Sequence, residues 1–133
     1  MNVVLFGATG MVGAGALLEC LADPRIESVL AVVRSPTGRT HPKLREVIHA
    51  DFFNYDSLKA DFAACNACFF CLGVWYQAIY TLAAPLYPVL HRLLPRYSTT
   101  TSNLGRALIQ VADKGFAASI LYSRDINALA ATA

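Results

Sequence analysis

The chain has 133 residues, which is enough for one hydrophobic core but short for two full domains. Charged residues make up 15% of it, against about 25% in an average soluble domain, and 56% of its residues are hydrophobic. This composition excludes intrinsic disorder, and a net charge of +2 gives no basis for a dedicated nucleic-acid-binding protein.

The beginning of the chain shows no basic segment ahead of an apolar stretch, so we expect no secretory signal and a cytoplasmic protein. In that compartment the four cysteines are expected to be reduced thiols. A charge-free run extends over residues 62–90, but Gly73, Pro85 and Pro88 interrupt it. The run therefore does not predict a membrane-spanning helix, which needs about 20 continuous apolar residues.

The first half of the chain alternates apolar runs with helical patterns. Residues 2–6 and 29–33 are continuous apolar runs typical of buried strands, and residues 11–22 have the apolar spacing of a helix. Further along, the sequence predicts a strand over 46–50, a short helix over 56–64 and a strand over 67–72. The order β-α-β-β-α-β with unbroken apolar strands predicts an α/β fold, a parallel sheet with helices on both faces.

The second half is less regular. Residues 74–95 are apolar but contain three prolines, which exclude one straight helix. Residues 98–103 are rich in helix N-cap types, residues 104–112 carry an apolar helical face, and Gly115 is suited to a C-terminal cap. We expect a last strand over 119–122 and a short helix or frayed tail at the alanine-rich end.

A glycine-rich turn follows the first strand directly and opens the first helix. Residues 7–13 read Gly-Ala-Thr-Gly-Met-Val-Gly. Glycines at this spacing allow a tight turn, let a pyrophosphate approach the backbone and let the helix pack on the strand. The turn therefore predicts a Rossmann-like dinucleotide site, with a plain strand-to-helix turn as the alternative. The candidate cofactor-binding residues in it are Gly7, Thr9, Gly10, Met11, Val12 and Gly13.

Arg34 stands at the end of the second predicted strand, where NAD-binding proteins place an acid for the ribose hydroxyls. A carboxylate would repel a 2′-phosphate, whereas a guanidinium pairs with it through charge-assisted hydrogen bonds. Arg34 therefore favours NADP over NAD as the dinucleotide. Arg39 is a second candidate in the same loop, and a solvated strand-end arginine is the alternative interpretation.

Four segments of the sequence carry a resemblance to a known family. They are the opening Val-Val-Leu-Phe-Gly-Ala-Thr-Gly-Met-Val-Gly, then Val33-Arg34, Ala50-Asp51-Phe52 and Cys71-Leu72-Gly73. Together these segments resemble the atypical short-chain dehydrogenase/reductases. More narrowly, they are similar to the NAD-dependent epimerase/dehydratase-like group that includes the Tat-interacting-protein-like oxidoreductases. Residues 94–97, 99–101, 104–107 and 123–126 are similar to the C-terminal segment of that group.

The resemblance implies roles for residues at four strand ends. The three glycines of the turn would line the pyrophosphate, and Arg34 would face the 2′-phosphate. Asp51 and Phe52 would border the adenine, and Gly73 would flank the cofactor. The family also has a central region with a catalytic serine and a Tyr-x-x-x-Lys helix, and this region is missing between Gly73 and the C-terminal segment.

Two patterns imitate functional motifs. Tyr55 and Lys59 have the Tyr-x-x-x-Lys spacing, but they lie after the third predicted strand, on the adenine side, so we assign no catalytic residue. Cys65, Cys68 and Cys71 form C-x-x-C-x-x-C. Their odd spacing sends the last two to opposite faces of a strand, so we predict buried apolar residues and no metal site.

The sequence thus predicts a single NADP(H)-binding domain over residues 1–133. Residues 1–73 would bind the nucleotide, and residues 74–133 would form an apolar, helical segment. Because no credible general acid is present, we predict no stand-alone redox catalysis. The alternatives are a non-enzymatic interaction module that uses the apolar residues 74–94, or a peripheral membrane protein that uses the same segment. An uncovered sheet edge predicts a homodimer.

Overall fold

The computed structural model describes residues 1–73, 99–118 and 120–132. The strands are β1 (Asn2–Phe6), β2 (Ser28–Val33), β3 (Leu44–Ile48) and β4 (Ala67–Phe70). The helices of these ranges are α1 (Met11–Ala22), α2 (Lys59–Ala63), which follows a 3-10 turn over Asp56–Leu58, α3 (Thr101–Lys114) and α4 (Ser123–Ala131).

The strands form one parallel sheet in the order β3-β2-β1-β4. This is the strand order of the nucleotide-binding half of a doubly wound α/β fold. The order reverses between β1 and β4, because the chain first adds strands on one side of β1 and then crosses to the other. The Rossmann-like α/β fold expected from the sequence is confirmed.

Helix α1 covers one face of the sheet. Alternate residues of β1 and β2, such as Val3, Leu5 and Val29, pack against buried residues of α1, and Ile109 of α3 joins the same core. A continuous apolar strand fits such a sheet because its other face is also covered. On that other face, β1 and β2 pack with Leu58 and a set of aromatic rings.

Helix α3 packs closely along α1. A Cβ at Gly15 would lie 2.5 Å from the Cβ of Thr101, and one at Gly105 would lie 3.1 Å from the Cα of Ala16. Beyond the end of α1, Arg25 pairs with Asp113 of α3 at 3.4 Å. The two helices therefore run in the same direction, and their N-termini lie at the same edge of the sheet.

Most predicted elements are present, with shifted ends. Helix α1 has the expected bounds, and Thr100 and Gly115 cap α3 as expected, with Gly115 at φ 74°. The expected strand over 46–50 is instead β3, which begins two residues earlier. It is an edge strand in which no residue is fully buried, so an apolar run does not mark its limits.

The expected last strand over 119–122 is wrong for residues 120–122, which are not extended into any sheet. They lead into α4 instead, because the Tyr122 carbonyl accepts from the Asp125 amide at 2.9 Å and Tyr122 N–H donates to the Asp125 carboxylate. The helix expected at the alanine-rich end is confirmed as α4.

The apolar segment 74–94 lies outside the described residues. Within the ranges that the structure describes, no helix is both long and apolar enough to cross a bilayer.

Candidate functional site

The turn after β1 is built on a close contact between its first and last glycines. Gly7 has φ 79°, a left-handed conformation that favours glycine, and its carbonyl accepts from Gly10 N–H at 2.9 Å. A Cβ at Gly13 would lie only 2.0 Å from that same Gly7 carbonyl oxygen. The glycines at both positions are therefore required for α1 to start this close to β1.

The N-terminus of α1 is open to an anion. Gly10 is its N-cap residue and has no side chain to satisfy the first-turn N–H groups, and the first turn has no acidic residue. Thr9, Gly10 and Met11 are all exposed. Free N–H groups and the positive end of the helix dipole favour a phosphate there, by about 0.3–1 kcal/mol and up to ~2 when partly buried.

The end of β4 lies against the glycine turn. Cys71 N–H donates to the Phe6 carbonyl at 3.0 Å, and a Cβ at Gly7 would lie 2.6 Å from the Cys71 carbonyl oxygen. Gly73 is exposed two residues further on. Because the strand order reverses between β1 and β4, the turn and Gly73 lie at the carboxyl ends of the two strands between which open α/β sheets bind their ligands.

Arg34 follows β2 at the same edge and is exposed, as is Arg39. Neither guanidinium forms an ion pair with a residue in the described ranges. In the sheet, β2 is the direct neighbour of β1, so Arg34 stands one strand away from the glycine turn. A cation at that position can reach an anionic group on a ligand that extends from the turn across β2.

Asp51 and Phe52 follow β3, on the far side of Arg34. The Asp51 carboxylate accepts from Phe53 N–H at 3.0 Å, which fixes a local turn. The Phe52 ring is half-buried, with its centroid 6.4 Å from that of Phe6 and 6.2 Å from that of His49. The segment offers a fixed, partly apolar surface at the outer end of the same edge.

Tyr55 and Lys59 each contact other residues of the described structure. The Tyr55 ring packs among other aromatic rings, with its centroid 5.7 Å from that of Phe6 and stacked 5.4 Å from that of His49. The Lys59 ammonium pairs with Asp56 at 2.7 Å. Tyr55 precedes the 3-10 turn, and Lys59 begins α2.

The cysteines are less uniformly buried than the sequence predicts. Cys20 is fully buried on α1, and burial raises the pKa of its thiol to about 12. Cys68, however, is exposed, although its neighbour Phe69 in the same edge strand is buried. Cys68 pairs in register with Val4, whereas Cys71 packs on the opposite core. The thiols diverge, and no group of potential metal ligands occurs in the described ranges.

Sequence reasoning misses one contact near the site. Thr37, in the segment between β2 and β3, donates a hydrogen bond from its hydroxyl to the Glu46 carboxylate, and its backbone N–H donates to the same group at 3.3 Å. Glu46 lies in β3, nine residues away. The sequence carries no signal that could have placed the Glu46 carboxylate beside Thr37, because the contact depends on how the segment after β2 folds back onto β3.

The strand order of the sheet and the glycine turn together define an α/β protein of the Rossmann type.

No protein-family model and no curated protein matches the chain. Among solved structures, the chain is similar to the oxidoreductase ylbE from Lactococcus lactis, at 14% identity and a TM-score of 0.48. The match covers 86% of this chain and 44% of that one, so the chain spans less than half the length of that protein.

Proposed function

We propose that the chain binds a dinucleotide, NADP(H), with its pyrophosphate at the glycine turn. The observation that carries the proposal is the uncapped N-terminus of α1, set by a tight Gly7–Gly10 turn at the point where the strand order reverses. A pyrophosphate satisfies the free N–H groups there, and the absence of a side chain at Gly10 leaves the backbone accessible to it.

The proposed cofactor extends from the turn across β2 toward β3. Arg34 binds the 2′-phosphate of NADP(H), and Asp51 and Phe52 border the adenine. Gly73 flanks the nicotinamide end beside β4. NAD lacks the 2′-phosphate, so it gains nothing from the Arg34 guanidinium and binds less tightly.

We further propose that the chain does not perform hydride transfer by itself. The support is that the Tyr55 ring packs against Phe6 and that the Lys59 ammonium pairs with Asp56, on the side of the sheet proposed for the adenine. The sequence contains no other Tyr-x-x-x-Lys. Purified protein incubated with NADPH and carbonyl substrates is expected to show no turnover, and NADPH oxidation that disappears in Tyr55→Phe would refute this part of the proposal.

The test of cofactor choice is a calorimetric titration with NADPH and with NADH at the same salt concentration. We expect NADPH to bind at least several-fold more tightly, since a tenfold difference requires only about 1.4 kcal/mol. Arg34→Asp should erase or reverse the preference. Lys114→Asp makes the same change of charge at the far end of α3 and should leave the preference unchanged. Equal affinities for the two nucleotides in the unmodified protein would refute the assignment of NADP(H).

We also propose that residues 1–133 form one domain that associates as a homodimer. In the described part of the sheet, β4 is an edge strand whose last residue, Phe70, is 66% exposed, and Leu72, just after the strand, is 41% exposed. Exposed apolar residues on an open sheet edge favour pairing with another chain. Analytical ultracentrifugation at micromolar concentration should show a dimer, and a monomer would contradict this proposal.

A further inference from the structure

The segment between β2 and β3 is held to the sheet by hydrogen bonds to the Glu46 carboxylate. Within the described ranges this carboxylate forms no ion pair. Thr37 N–H donates to the two Glu46 carboxylate oxygens at 3.3 and 3.4 Å, and the Thr37 hydroxyl donates to Glu46 Oε1. The same hydroxyl oxygen accepts from Arg39 N–H at 3.3 Å. We call this set of contacts the Thr37–Glu46 clamp.

The clamp fixes one end of a very short span that contains Arg34. At the other end, the Val33 carbonyl accepts from His49 N–H at 2.8 Å, which holds the chain to β3. Only Arg34, Ser35 and Pro36 lie between these two fixed points. Proline has φ locked near about −65°, so the span has little freedom to move.

We propose that the Thr37–Glu46 clamp is a specificity-determining device that holds Arg34 ready for the 2′-phosphate of NADP(H). This inference rests on the proposed function. A loop whose backbone is already ordered loses less conformational entropy when it binds its ligand, so the clamp strengthens the contact between Arg34 and the phosphate. NADH makes no such contact, and its affinity is independent of the clamp.

The geometry also sets two effects of Glu46 against each other. Its carboxylate repels a nearby phosphate, whereas its hydrogen bonds to Thr37 order the loop that carries Arg34. Thr37→Val separates these effects, because valine keeps the branched shape, the backbone N–H and the Glu46 charge but lacks the hydroxyl. Thr37→Ser is the matched control, since it retains the hydroxyl.

The experiment is a calorimetric titration of both variants and of the unmodified protein with NADPH and NADH, with melting temperatures to verify folding. We expect Thr37→Val to weaken NADPH binding by about tenfold and NADH binding by less than about twofold. Thr37→Ser should stay close to the unmodified protein. Glu46→Ala removes both the charge and the anchor, so it measures the sum of the two effects. Because the clamp proposal makes ordering the larger effect, this variant should also weaken NADPH binding selectively, and it tests the proposal if the valine variant is unstable.

An unchanged NADPH-to-NADH affinity ratio in Thr37→Val would overturn the role of the clamp while leaving the proposed function intact. Equal losses for both nucleotides would also overturn it, because they would indicate general damage to the site. Tighter NADPH binding by Glu46→Ala would mean that repulsion outweighs ordering, and would refute the proposal. If the unmodified protein bound neither nucleotide, the proposed function itself would fail.

Discussion

Gly13→Ala tests whether the close contact between α1 and the glycine turn stabilises this fold. The added Cβ would lie 2.0 Å from the Gly7 oxygen, 2.6 Å from the Gly7 carbonyl carbon and 3.0 Å from the Ala8 nitrogen. All three are backbone atoms, so no side chain can rotate away, and ordinary contact begins at 3.4 Å. The start of α1 must therefore move away from the end of β1 by more than an ångström.

The expected cost follows from two opposing effects. Overpacking of this kind typically costs about 1–3 kcal/mol, and a contact with fixed backbone belongs at the upper end of that range. Alanine recovers about 1 kcal/mol, because it is a better helix former than glycine. We expect a net loss of about 2 kcal/mol, which for a chain of this length lowers the melting temperature by about 8 °C.

The measurement is urea unfolding and thermal melting of three glycine variants. Gly38→Ala is the control for backbone conformation, since Gly38 has φ 74° but nothing within 4 Å of an added Cβ. Gly10→Ala is the control for mutation within the turn, because its Cβ would meet a single atom at 3.3 Å. We expect the loss of stability to decrease in the order Gly13, Gly38, Gly10. A Gly13→Ala protein as stable as Gly10→Ala would refute the reasoning.

Two further predictions concern stability. Thr100→Ala should reduce the free energy of unfolding by about 1 kcal/mol in urea titrations, because the Thr100 side chain caps α3 by accepting from Asn103 N–H at 3.1 Å, and Thr100→Ser should not. Burial raises the pKa of the Cys20 thiol from its ordinary value near 9.0 to about 12, so the folded protein keeps a proton that the unfolded chain releases. The stabilisation is therefore complete below about pH 9 and is lost as the pH rises toward 12. The urea concentration at the midpoint of unfolding should fall as the pH rises over this range in the unmodified protein, and it should fall less in Cys20→Ala. An equal fall in the two proteins would contradict the raised pKa of Cys20.

The central part of the fold could be predicted from the sequence because its signals are local. Residues 2–6 are apolar throughout, as expected of a strand covered on both faces, and α1 carries its apolar residues at helical spacing. The glycines of the turn follow the strand directly, so their arrangement needs no distant contact. These features led to the right sheet type and to the right helix bounds.

The remaining features depend on contacts between distant residues. The ends of β3 are set by pairing with β2, from Val29 with Leu44 to Val33 with Ile48, and an edge strand needs no continuous apolar run. The exposure of Cys68 and the burial of Phe69 depend on which face of β4 is covered, and a short apolar run does not reveal this. The Thr37–Glu46 clamp joins two polar side chains, of residue types that are mostly exposed to solvent. Such pairings have no signature in a single sequence.

The central claim is that the open N-terminus of α1 binds the pyrophosphate of a dinucleotide, and Gly10→Asp tests it most directly. Aspartate is a favoured N-cap residue, so the substitution should keep or raise the melting temperature. It also places a carboxylate where the pyrophosphate would bind. Calorimetry with NADPH should therefore show binding to the unmodified protein, measurable binding to the uncharged control Gly10→Ser, and none to a folded Gly10→Asp protein. NADPH affinity that is unchanged in Gly10→Asp, or absent from the unmodified protein, would contradict the account.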